Sequence, residues 1–520
     1  MKIISSALIA LVLCASALGQ AAFDSAYKPA VFTDPARLEK IKQTFPAIEK
    51  LYKEHAAKNH FPGIAFGIVV DGQLVFAGND GYTDIERKTP VTSSSLFRIA
   101  SMSKSFTAMA ILKLRDDGKL KLDDPAHLYV PEMKKLRYLT SDSPPITIRQ
   151  LMTHGAGFPE DNPWGDRQLA DTNKELSELL EKQISFSNPP GITYEYANLG
   201  FALLGRIITK VSGKPYQRYI RENIWRPLGM NTSEWEYANI APDKLAHGYR
   251  WERERWNEET LLHDTADGSW GAMGSMISSI DEFSKYMALH LSAWPPSNAA
   301  ETGPLKRASV REMHHPWRFN SLNPNFRYPD GRVCATAGAY TYGLGWLRDC
   351  ESRVYIGHSG GLPGFGSQWR IMPDYGIGVV AFGNVTYASL GNINLQVLDL
   401  IVKTAGLKPR QLPVSNILAQ RKAELLKVIP SWEGAEKSGI FAENFFADRP
   451  LDLRRDEFAA LWAKAGKILS VKEMIPHNQL RGRFIIEGEN INIEVYFTLS
   501  PENPPLIQQL NAREVPRPTN

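Results

Sequence analysis

Residues 96–112 read LFRIASMSKSFTAMAIL, and this stretch decides the fold of the 520-residue chain. The run at 96–100 gives way here to a helix-favouring run that begins at Phe106. Ser101 and Lys104 lie at the junction, and side chains three residues apart share one face of a helix. We therefore expect a helix that holds a hydroxyl and an amine side by side, a geometry that can make the hydroxyl a nucleophile.

Two later motifs belong with this pair. Residues 196–198 read Tyr-Ala-Asn at the start of an apolar helix pattern, and residues 358–360 read His-Ser-Gly after a predicted strand. The order Ser-x-x-Lys, Tyr-x-Asn, His-x-Gly resembles the serine β-lactamase and penicillin-binding protein superfamily. The similar branch holds class C β-lactamases, D,D-peptidases, D-aminopeptidases and β-lactamase-like esterases. The resemblance covers roughly residues 36–405 and includes the flanking runs LMTH at 151–154, PLGM at 227–230 and the segment 271–283.

This resemblance implies a fold of the α/β (α+β) class, a β-lactamase/transpeptidase-like antiparallel sheet flanked by helices, with a helical lobe. It implies that Ser101 attacks the substrate carbonyl and forms an acyl-enzyme. Lys104 and Tyr196 would handle the serine proton, with Tyr196 Oη as the better candidate base. By the same resemblance the substrate contacts are Asn198, His358 and Gly360, and the oxyanion hole is formed by the backbone N–H groups of Ser101 and Gly361.

His358 departs from class C β-lactamases, which carry lysine at this position, whereas histidine is familiar among the peptidases and esterases of the branch. A tyrosine base that works near pH 7 needs its pKa lowered by about 3 units, roughly 4 kcal/mol of favourable field. Lys104 with a mostly neutral histidine supplies less of that field than two fixed cations. We therefore predict poor β-lactam turnover and an alkaline optimum for acyl transfer.

Three other patterns compete with these motifs. Residues 25–28 repeat the Ser-x-x-Lys spacing and residues 237–239 repeat Tyr-x-Asn, both without the expected helix context. Residues 357–361 fit G-x-S-x-G, so an α/β-hydrolase that uses Ser359 is an alternative. That motif requires a strand to pass directly into a helix, and the run LPGFG that follows does not start a helix readily. Ser101 is therefore the preferred nucleophile.

No metal or cofactor is expected. The adjacent His314 and His315 do not face one ligand together, as metal-binding histidines four residues apart on a helix do. The sequence has no zinc-site spacing and no dinucleotide glycine fingerprint. His154 lies beside a glycine-rich turn, and we expect it to bond local backbone rather than to react.

Hydrophobic periodicity predicts the elements around the motifs. Strands at 64–70 and 74–77 are expected to form a hairpin at Asp71-Gly72. The sheet would be assembled from both ends of the domain, with a helical lobe inserted from about 122 to 290. The remaining predicted elements are strands at 353–356, 367–372 and 376–383 and helices at 36–60, 174–182, 198–211, 281–290 and 390–404.

Beyond residue 407 the pattern changes. The proline-containing segment 408–435 predicts a linker with one short helix. Residues 436–520 predict a small α+β accessory domain, similar to cystatin-like or nuclear-transport-factor-like modules, and we expect it to pack or cover rather than bind a ligand. Its predicted helices are 439–446 and 456–465, and its predicted strands are 469–475, 481–486, 491–499 and 506–510.

The N-terminus predicts export. Residues 1–19 combine Lys2, an apolar run and terminal small residues, the pattern of a secretory signal peptide. The run is shorter than the ~20 residues that span a bilayer, so no transmembrane anchor is expected. The hydrolase domain would be residues 20–407 of a secreted or periplasmic protein. Cleavage would leave Cys334 and Cys350, for which one disulfide and two free thiols both stay open.

Charge and motifs together limit the function. Lys and Arg number 60 against 56 Asp and Glu, and this net charge of +4 is not gathered into basic blocks, which argues against a nucleic-acid partner. The leading hypothesis is an exported serine hydrolase whose partner is a small-molecule ester, amide or peptide substrate, including D-amino-acid amides. A true β-lactamase and a non-enzymatic penicillin-binding sensor or scaffold are the alternatives. The substrate and the oligomeric state stay open at this point.

Overall fold

The structure is a computed structural model that describes residues 27–260 and 268–517. The predicted signal peptide at 1–19 therefore lies outside the described residues. The chain forms two compact units: one is Phe32–Arg410, and the other runs from Gln411 onward and includes the segment up to Val31. Among the described residues no helix has the length and apolar character needed to cross a bilayer.

The larger unit contains a nine-stranded sheet. The strands of this unit, in chain order and including four outside the large sheet, are β1 (Gly63–Val70), β2 (Gln73–Asp84), β3 (Thr89–Pro90), β4 (Phe97–Arg98), β5 (Tyr249–Glu252), β6 (Arg255–Glu258), β7 (Ile277–Ser278), β8 (Arg318–Asn323), β9 (Thr336–Tyr340), β10 (Gly345–Asp349), β11 (Val354–Leu362), β12 (Phe365–Met372) and β13 (Ile377–Gly383). The order in the large sheet is β3-β2-β1-β13-β12-β11-β10-β9-β8, and β4–β7 and β5–β6 are separate pairs. Its pairings are antiparallel, which confirms a sheet assembled from both ends of the unit.

Helices cover both faces of this sheet. They are α1 (Arg37–Lys42), α2 (Phe45–Lys58), α3 (Ser103–Asp116), α4 (Ile148–Met152), α5 (Asn173–Glu181), α6 (Asn198–Ser212), α7 (Tyr216–Ile220), α8 (Gly271–Gly274), α9 (Ile280–Ser292), α10 (Arg307–Met313) and α11 (Gly391–Thr404). One apolar core joins the sheet to α3, α6 and α9, and the other joins it to α2 and α11. Helices α4 to α7 form a helical lobe within the predicted span 122–290, but α9 at the end of that span packs on the sheet instead. The predicted helix at 36–60 is two helices, α1 and α2.

The central strand β1 explains why the two cores form. It reads GIAFGIVV and is buried along its whole length, so alternate side chains contribute to both cores. The hairpin predicted between β1 and β2 is present, since Asp71 and Gly72 have φ values of +50° and +83°. Positive φ at both central residues is the signature of the turn that matches the twist of paired strands.

Strands β8, β9 and β10 were not predicted from the sequence. β8 is exposed along most of its length, and β9 reads TAGAY, so neither has the alternation that marks a half-buried strand. β11 is also longer than predicted and contains His358, rather than ending before it. β11 passes into β12 through Pro363-Gly364, where Gly364 has φ +85°. A strand hairpin, not a helix, therefore follows Ser359, so the strand-to-helix turn that the G-x-S-x-G motif requires is not present there.

The smaller unit has a sheet of its own. Its elements are α12 (Asn416–Val428), α13 (Asn444–Asp448), α14 (Leu451–Ala465), β14 (Ile468–Val471), β15 (Ile475–Asn478), β16 (Arg481–Gly488), β17 (Asn492–Leu499) and β18 (Ile507–Val515). The predicted helix at 439–446 is only the short α13, and the predicted strand at 469–475 is two strands. Within the predicted linker 408–435, α12 buries Leu418 and Leu425 in the core of this unit. A small C-terminal α+β unit is therefore present.

Candidate active site

The candidate nucleophile lies in a tight turn against the sheet. Ser101 is the middle residue of the 3-10 helix Ala100–Met102, which leads directly into α3. Ala100 has φ +51°, in the left-handed region that residues with a Cβ adopt only at a cost. The carbonyl of Ile99 accepts a hydrogen bond from the Ser367 hydroxyl at 2.7 Å. β12 therefore anchors the residue before this strained position.

Lys104 and Ser101 are brought together as the spacing predicts. The Lys104 side chain is fully buried, and its Nζ lies 2.9 Å from Ser101 Oγ. The same Nζ lies 2.6 Å from Asn198 Oδ1 and 2.9 Å from the Met273 carbonyl oxygen. Burial lowers the pKa of Lys104 from 10.5 to about 7. Near neutral pH this amine therefore exists partly in its neutral form.

The three neighbours of Nζ fix the direction of its lone pair. The Asn198 and Met273 oxygens only accept, so each takes one N–H of a neutral lysine amine. A neutral amine has two N–H groups, and its lone pair then points to the third neighbour, the Ser101 hydroxyl. Ser101 can donate its proton along this contact, which is the geometry of general base catalysis.

Tyr196 contacts the same hydroxyl but has the opposite electrostatic character. Its side chain hydrogen-bonds to Ser101, and its ring centroid lies 5.0 Å from Lys104 Nζ. Desolvation by the surrounding protein raises the pKa of Tyr196 well above 10, and the hydrogen bond with Ser101 only partly opposes this. Tyr196 therefore keeps its proton near neutral pH. This differs from the sequence interpretation, which favoured Tyr196 over Lys104 as the base.

Asn198 is a partner of Lys104 rather than an open substrate contact. The residue is fully buried, and its Nδ2 donates to Asn162 Oδ1 at 2.6 Å, while its Oδ1 accepts from Lys104. Both polar ends of the amide are thus used inside the protein. One N–H and one lone pair of the amide are left over, so the predicted substrate contact through Asn198 stays a prediction.

Two carboxylates near Lys104 were not identified from the sequence. Asp161 accepts from the backbone N–H groups of Asn198 and Leu199, at 2.7 and 2.9 Å, and so caps the start of α6. Asp166 accepts from the Tyr387 hydroxyl at 3.0 Å, and burial raises its pKa to about 6. Both carboxylates favour the charged form of Lys104 and oppose the effect of its burial. The acidic loop sequence EDNPWGD at 160–166 was the available signal.

His358 is buried and neutral, in agreement with the sequence expectation. The Tyr340 hydroxyl lies 2.8 Å from Nε2, and Nδ1 hydrogen-bonds the Ser359 carbonyl. Because a carbonyl only accepts, Nδ1 carries the proton and Nε2 accepts from Tyr340. Burial, aided by the charge of Lys104, lowers the pKa of His358 to about 3. The position occupied by lysine in class C β-lactamases therefore carries no positive charge here.

The glycines after His358 allow β11 to approach the nucleophile turn. A Cβ on Gly360 would lie 2.3 Å from the Ile99 carbonyl oxygen and 2.9 Å from the Ala100 Cβ. A Cβ on Gly361 would lie 2.8 Å from the Tyr387 ring. Side chains are thus excluded at both positions, and the backbone of β11 can line the crevice beside Ser101.

His154 supports the Tyr196 segment. Its Nδ1 accepts from the Ala197 backbone N–H at 3.1 Å, and its ring centroid lies 4.2 Å from that of Tyr196. This is the backbone contact expected from the sequence. Of the competing motifs, residues 25–28 lie partly outside the described residues, Ser359 is exposed on β11, and Tyr237 packs under the Arg98 guanidinium. Within 27–260 and 268–517, no cluster of three or more potential metal ligands occurs.

Comparison with known proteins agrees with this geometry. The family model described as Beta-lactamase matches residues 48–402, more than half of the chain. The chain belongs to the β-lactamase family. This membership supports a function of the serine hydrolase or penicillin-binding kind in general, and the family segment contains Ser101, Lys104, Tyr196 and His358.

Relatives of this β-lactamase family member occur in distant organisms. Protein flp of Staphylococcus aureus (strain N315) is 26% identical over 341 residues, which cover 65% of this chain and 62% of that protein. The match thus spans less than two thirds of the Staphylococcus protein. Beta-lactamase-like protein 2 of Dictyostelium discoideum is 27% identical over 505 residues, or 89% of this chain and 85% of that protein.

Solved structures show the same fold. The octameric penicillin-binding protein homologue from Pyrococcus abyssi has a TM-score of 0.59 and 23% identity, and covers 88% of this chain and 96% of its own. The penicillin-binding protein from Bacillus halodurans has a TM-score of 0.53 and 22% identity, with 67% and 98% coverage. The β-lactamase/transpeptidase-like fold expected from the motifs is therefore confirmed.

Proposed function

We propose that this protein is an exported serine hydrolase that forms an acyl-enzyme on Ser101 and acts on esters or on D-amino-acid amides and peptides. The observation that carries this proposal is the 2.9 Å contact between the Lys104 amine and the Ser101 hydroxyl. An amine with a pKa of about 7 is matched to proton transfer near neutral pH. Lys104 is therefore the general base of the proposed reaction.

The proposed proton route uses the two side chains that contact the Ser101 hydroxyl, Lys104 and Tyr196. Ser101 Oγ bonds to the substrate carbonyl carbon while its proton moves to Lys104 Nζ. The backbone N–H groups of Ser101 and Gly361 hold the resulting oxyanion. The bond to the leaving group then breaks, and the leaving group takes the Tyr196 hydroxyl proton, which Lys104 replaces. Water next attacks the acyl carbonyl and gives one proton to Lys104. The bond between the acyl carbon and Ser101 Oγ then breaks, Lys104 returns that proton to Oγ, and the acid product leaves.

Two features support the proposed substrate class and location. The neutral His358 leaves the crevice without the second cation of class C β-lactamases, which favours esters and peptides over β-lactams. Cys334 and Cys350 form a disulfide, the form that persists in oxidising compartments and suits an exported protein. A signal peptide at 1–19, a hydrolase domain at 20–407 and an accessory domain at 436–520 are part of the same proposal, with the predicted linker 408–435 contributing α12 to the core of the smaller unit.

Active-site labelling tests the nucleophile. A fluorophosphonate probe followed by peptide mass spectrometry should modify Ser101 in the wild type and in Ser359→Ala, and should give no adduct in Ser101→Ala. Ser359→Ala is the matched control because it removes the other candidate hydroxyl. Labelling that persists in Ser101→Ala and disappears in Ser359→Ala would reverse the assignment.

Turnover assays then separate the candidate activities. We expect steady hydrolysis of a chromogenic ester or a D-amino-acid anilide and slow hydrolysis of a cephalosporin. Faster cephalosporin turnover than ester turnover would identify a β-lactamase instead. A stable penicillin adduct on Ser101, without turnover of any of these substrates, would identify a sensor and contradict the proposed hydrolase.

A further inference from the structure

A cavity of about 500 Å³ lies between the large sheet and the first turn of α11. Its floor includes Gly338, Gly345 and Gly357, which lie on the neighbouring strands β9, β10 and β11. These glycines contribute no side chains to the lining, and a Cβ on Gly338 or Gly357 would meet β8 or β12, whereas Gly345 has room for one. Tyr196 and His358 also line the cavity, so one edge of it adjoins the candidate active site, whereas residues paired with Gly357 point to the opposite face of the sheet from the His358 side chain.

Arg370 supplies a cation to this cavity without an acidic partner. It lies on β12 opposite Gly357, and its Nη1 is buried without a hydrogen-bond acceptor among the described residues. The aromatic ring of Tyr355 is 5.8 Å from the guanidinium carbon. Nearby Arg353, in contrast, is paired with Asp399 at 2.9 Å and with Glu351. A guanidinium stays charged when buried, and an unpaired buried charge is costly, so a missing anion would explain Arg370.

The N-terminus of α11 adds a second source of positive potential. Gly391 and Asn392, the first two residues of this 14-residue helix, line the cavity. No side chain in the described part of the chain caps the helix start, so its first backbone N–H groups lack a side-chain acceptor there. Free N–H groups and the helix dipole both favour an anion at this end. None of the described lining residues is acidic, so nothing in the cavity wall offsets this potential.

The rest of the wall indicates which anion fits. Phe326, Leu347 and Leu395 give apolar surface, and Gln368 gives a neutral amide. A bare inorganic anion would leave the apolar wall uncovered, whereas an organic acid covers it and presents its charge to Arg370. The volume is in the range of pockets that hold small organic ligands.

We propose that this cavity binds the carboxylate of a small organic acid, with Arg370 as the cation and the start of α11 as a second donor. The carboxylate can belong to the hydrolase substrate or to a separate acid. The two sources share the same recognition chemistry, and they differ in whether the carboxylate and the scissile bond lie in one molecule.

Binding of a matched probe pair tests the site without any catalytic activity. Titration calorimetry on the full chain should detect 3-phenylpropanoate and not the neutral 3-phenylpropanamide. Arg370→Met should weaken the acid by about tenfold or more, the usual loss for a charged hydrogen bond, and Arg370→Lys should weaken it less. Arg348→Met is the matched control, because Arg348 is exposed on β10 and does not line the cavity.

Thermal unfolding distinguishes a loss of binding from a folding defect in the variant. The acid should raise the melting temperature of the wild type and of Arg348→Met, while Arg370→Met should melt cooperatively but show no rise. Equal binding by wild type and Arg370→Met, or no preference for the acid over the amide in the wild type, would overturn the proposal.

A kinetic comparison distinguishes the two sources and rests on the proposed hydrolase activity. If the substrate supplies the carboxylate, Arg370→Met should lower kcat/KM about tenfold for an ester that carries a free carboxylate and leave the corresponding amide ester unchanged. If a separate acid binds, both esters should respond equally to added 3-phenylpropanoate in the wild type and neither in Arg370→Met. The calorimetric test does not depend on hydrolysis. If the acid binds but no ester is hydrolysed, the hydrolase proposal fails and the binding proposal does not.

Discussion

Replacement of Lys104 by methionine should remove a pH dependence of stability that the wild-type chain carries. The pKa of Lys104 is about 7 in the folded protein and 10.5 in its ordinary state. Between these values the unfolded chain holds a proton that the folded chain lacks. Unfolding then takes up a proton, so rising pH stabilises the folded wild type, and this contribution is lost as the pH falls to 7. The methionine variant has no such contribution.

The size of the effect follows from the two pKa values. Each pH unit inside the window contributes up to about 1.4 kcal/mol. From pH 7.5 to 9.5 the wild type should therefore gain about 2.5 kcal/mol in the free energy of unfolding relative to Lys104→Met. The pKa of Asp166 is about 6 in the wild type, below this window. Because Lys104 lowers that pKa, its removal raises the pKa of Asp166 in the variant, and any titration of Asp166 inside the window would lower the stability of the variant as the pH rises and so add to the difference. Loss of the hydrogen bonds to Asn198 and Met273 changes the free energy of unfolding of the variant by the same amount at both pH values. It therefore cancels when the two values are subtracted.

Urea unfolding, followed by tryptophan fluorescence at the two pH values, measures this difference. Lys119→Met is the control, because Lys119 is exposed just beyond the end of α3 and its loss removes the same charge from the surface. The control should follow the wild type within about 0.5 kcal/mol. Parallel pH dependence of the wild type and Lys104→Met would refute the buried, neutral amine and with it the proposed base.

Three further outcomes are expected. The rate of fluorophosphonate labelling should rise with pH through about 7 and level near pH 8.5, because deprotonation of Lys104 creates the base; a profile that still rises steeply above pH 9 would favour Tyr196. Gly360→Ala should abolish labelling and destabilise the fold by about 1–3 kcal/mol, whereas Gly345→Ala, whose Cβ would meet its nearest atom at 3.5 Å, should label normally. Replacement of both Cys334 and Cys350 by alanine should lower the free energy of unfolding by about 3 kcal/mol and leave labelling unchanged, as measured by denaturant titration and mass spectrometry.

Much of the fold could be predicted because its central strands are continuous apolar runs. β1 and β13 are buried along their whole lengths, and the sequence of each is a continuous run of apolar residues and glycine. The outer strands β8, β9 and β10 could not be predicted in the same way. β8 is mostly exposed, and its place in the sheet depends on pairing with β9 rather than on burial of its own side chains. An edge strand of this kind is stabilised by pairing with its neighbour in the sheet, so its local sequence gives little indication of a strand.

In the candidate active site, too, some features could be predicted from the sequence and others could not. The contact between Ser101 and Lys104 follows from three-residue spacing, and the place of His358 beside them follows from motif order. The relative basicity of Lys104 and Tyr196 does not, because it depends on how much water each group loses in the folded protein. Counting nearby cations makes their electric field the main influence on each pKa. In the structure, desolvation outweighs this field at both residues. Asp161 was overlooked because a capping carboxylate in a loop resembles any other solvated acid.

Desolvation favours the neutral form of each of the three titratable groups around Ser101. It lowers the pKa of Lys104 to about 7 and that of His358 to about 3, and it raises that of Tyr196 above 10. Near pH 8 all three are therefore neutral, and the resting crevice contains no cation that must remain buried at a cost. Attack by Ser101 creates an ammonium at Lys104, and Asp161 and Asp166 already favour that charged form. A neutral histidine at position 358 is consistent with this chemistry, because the charge needed for acyl transfer appears only when the proton moves.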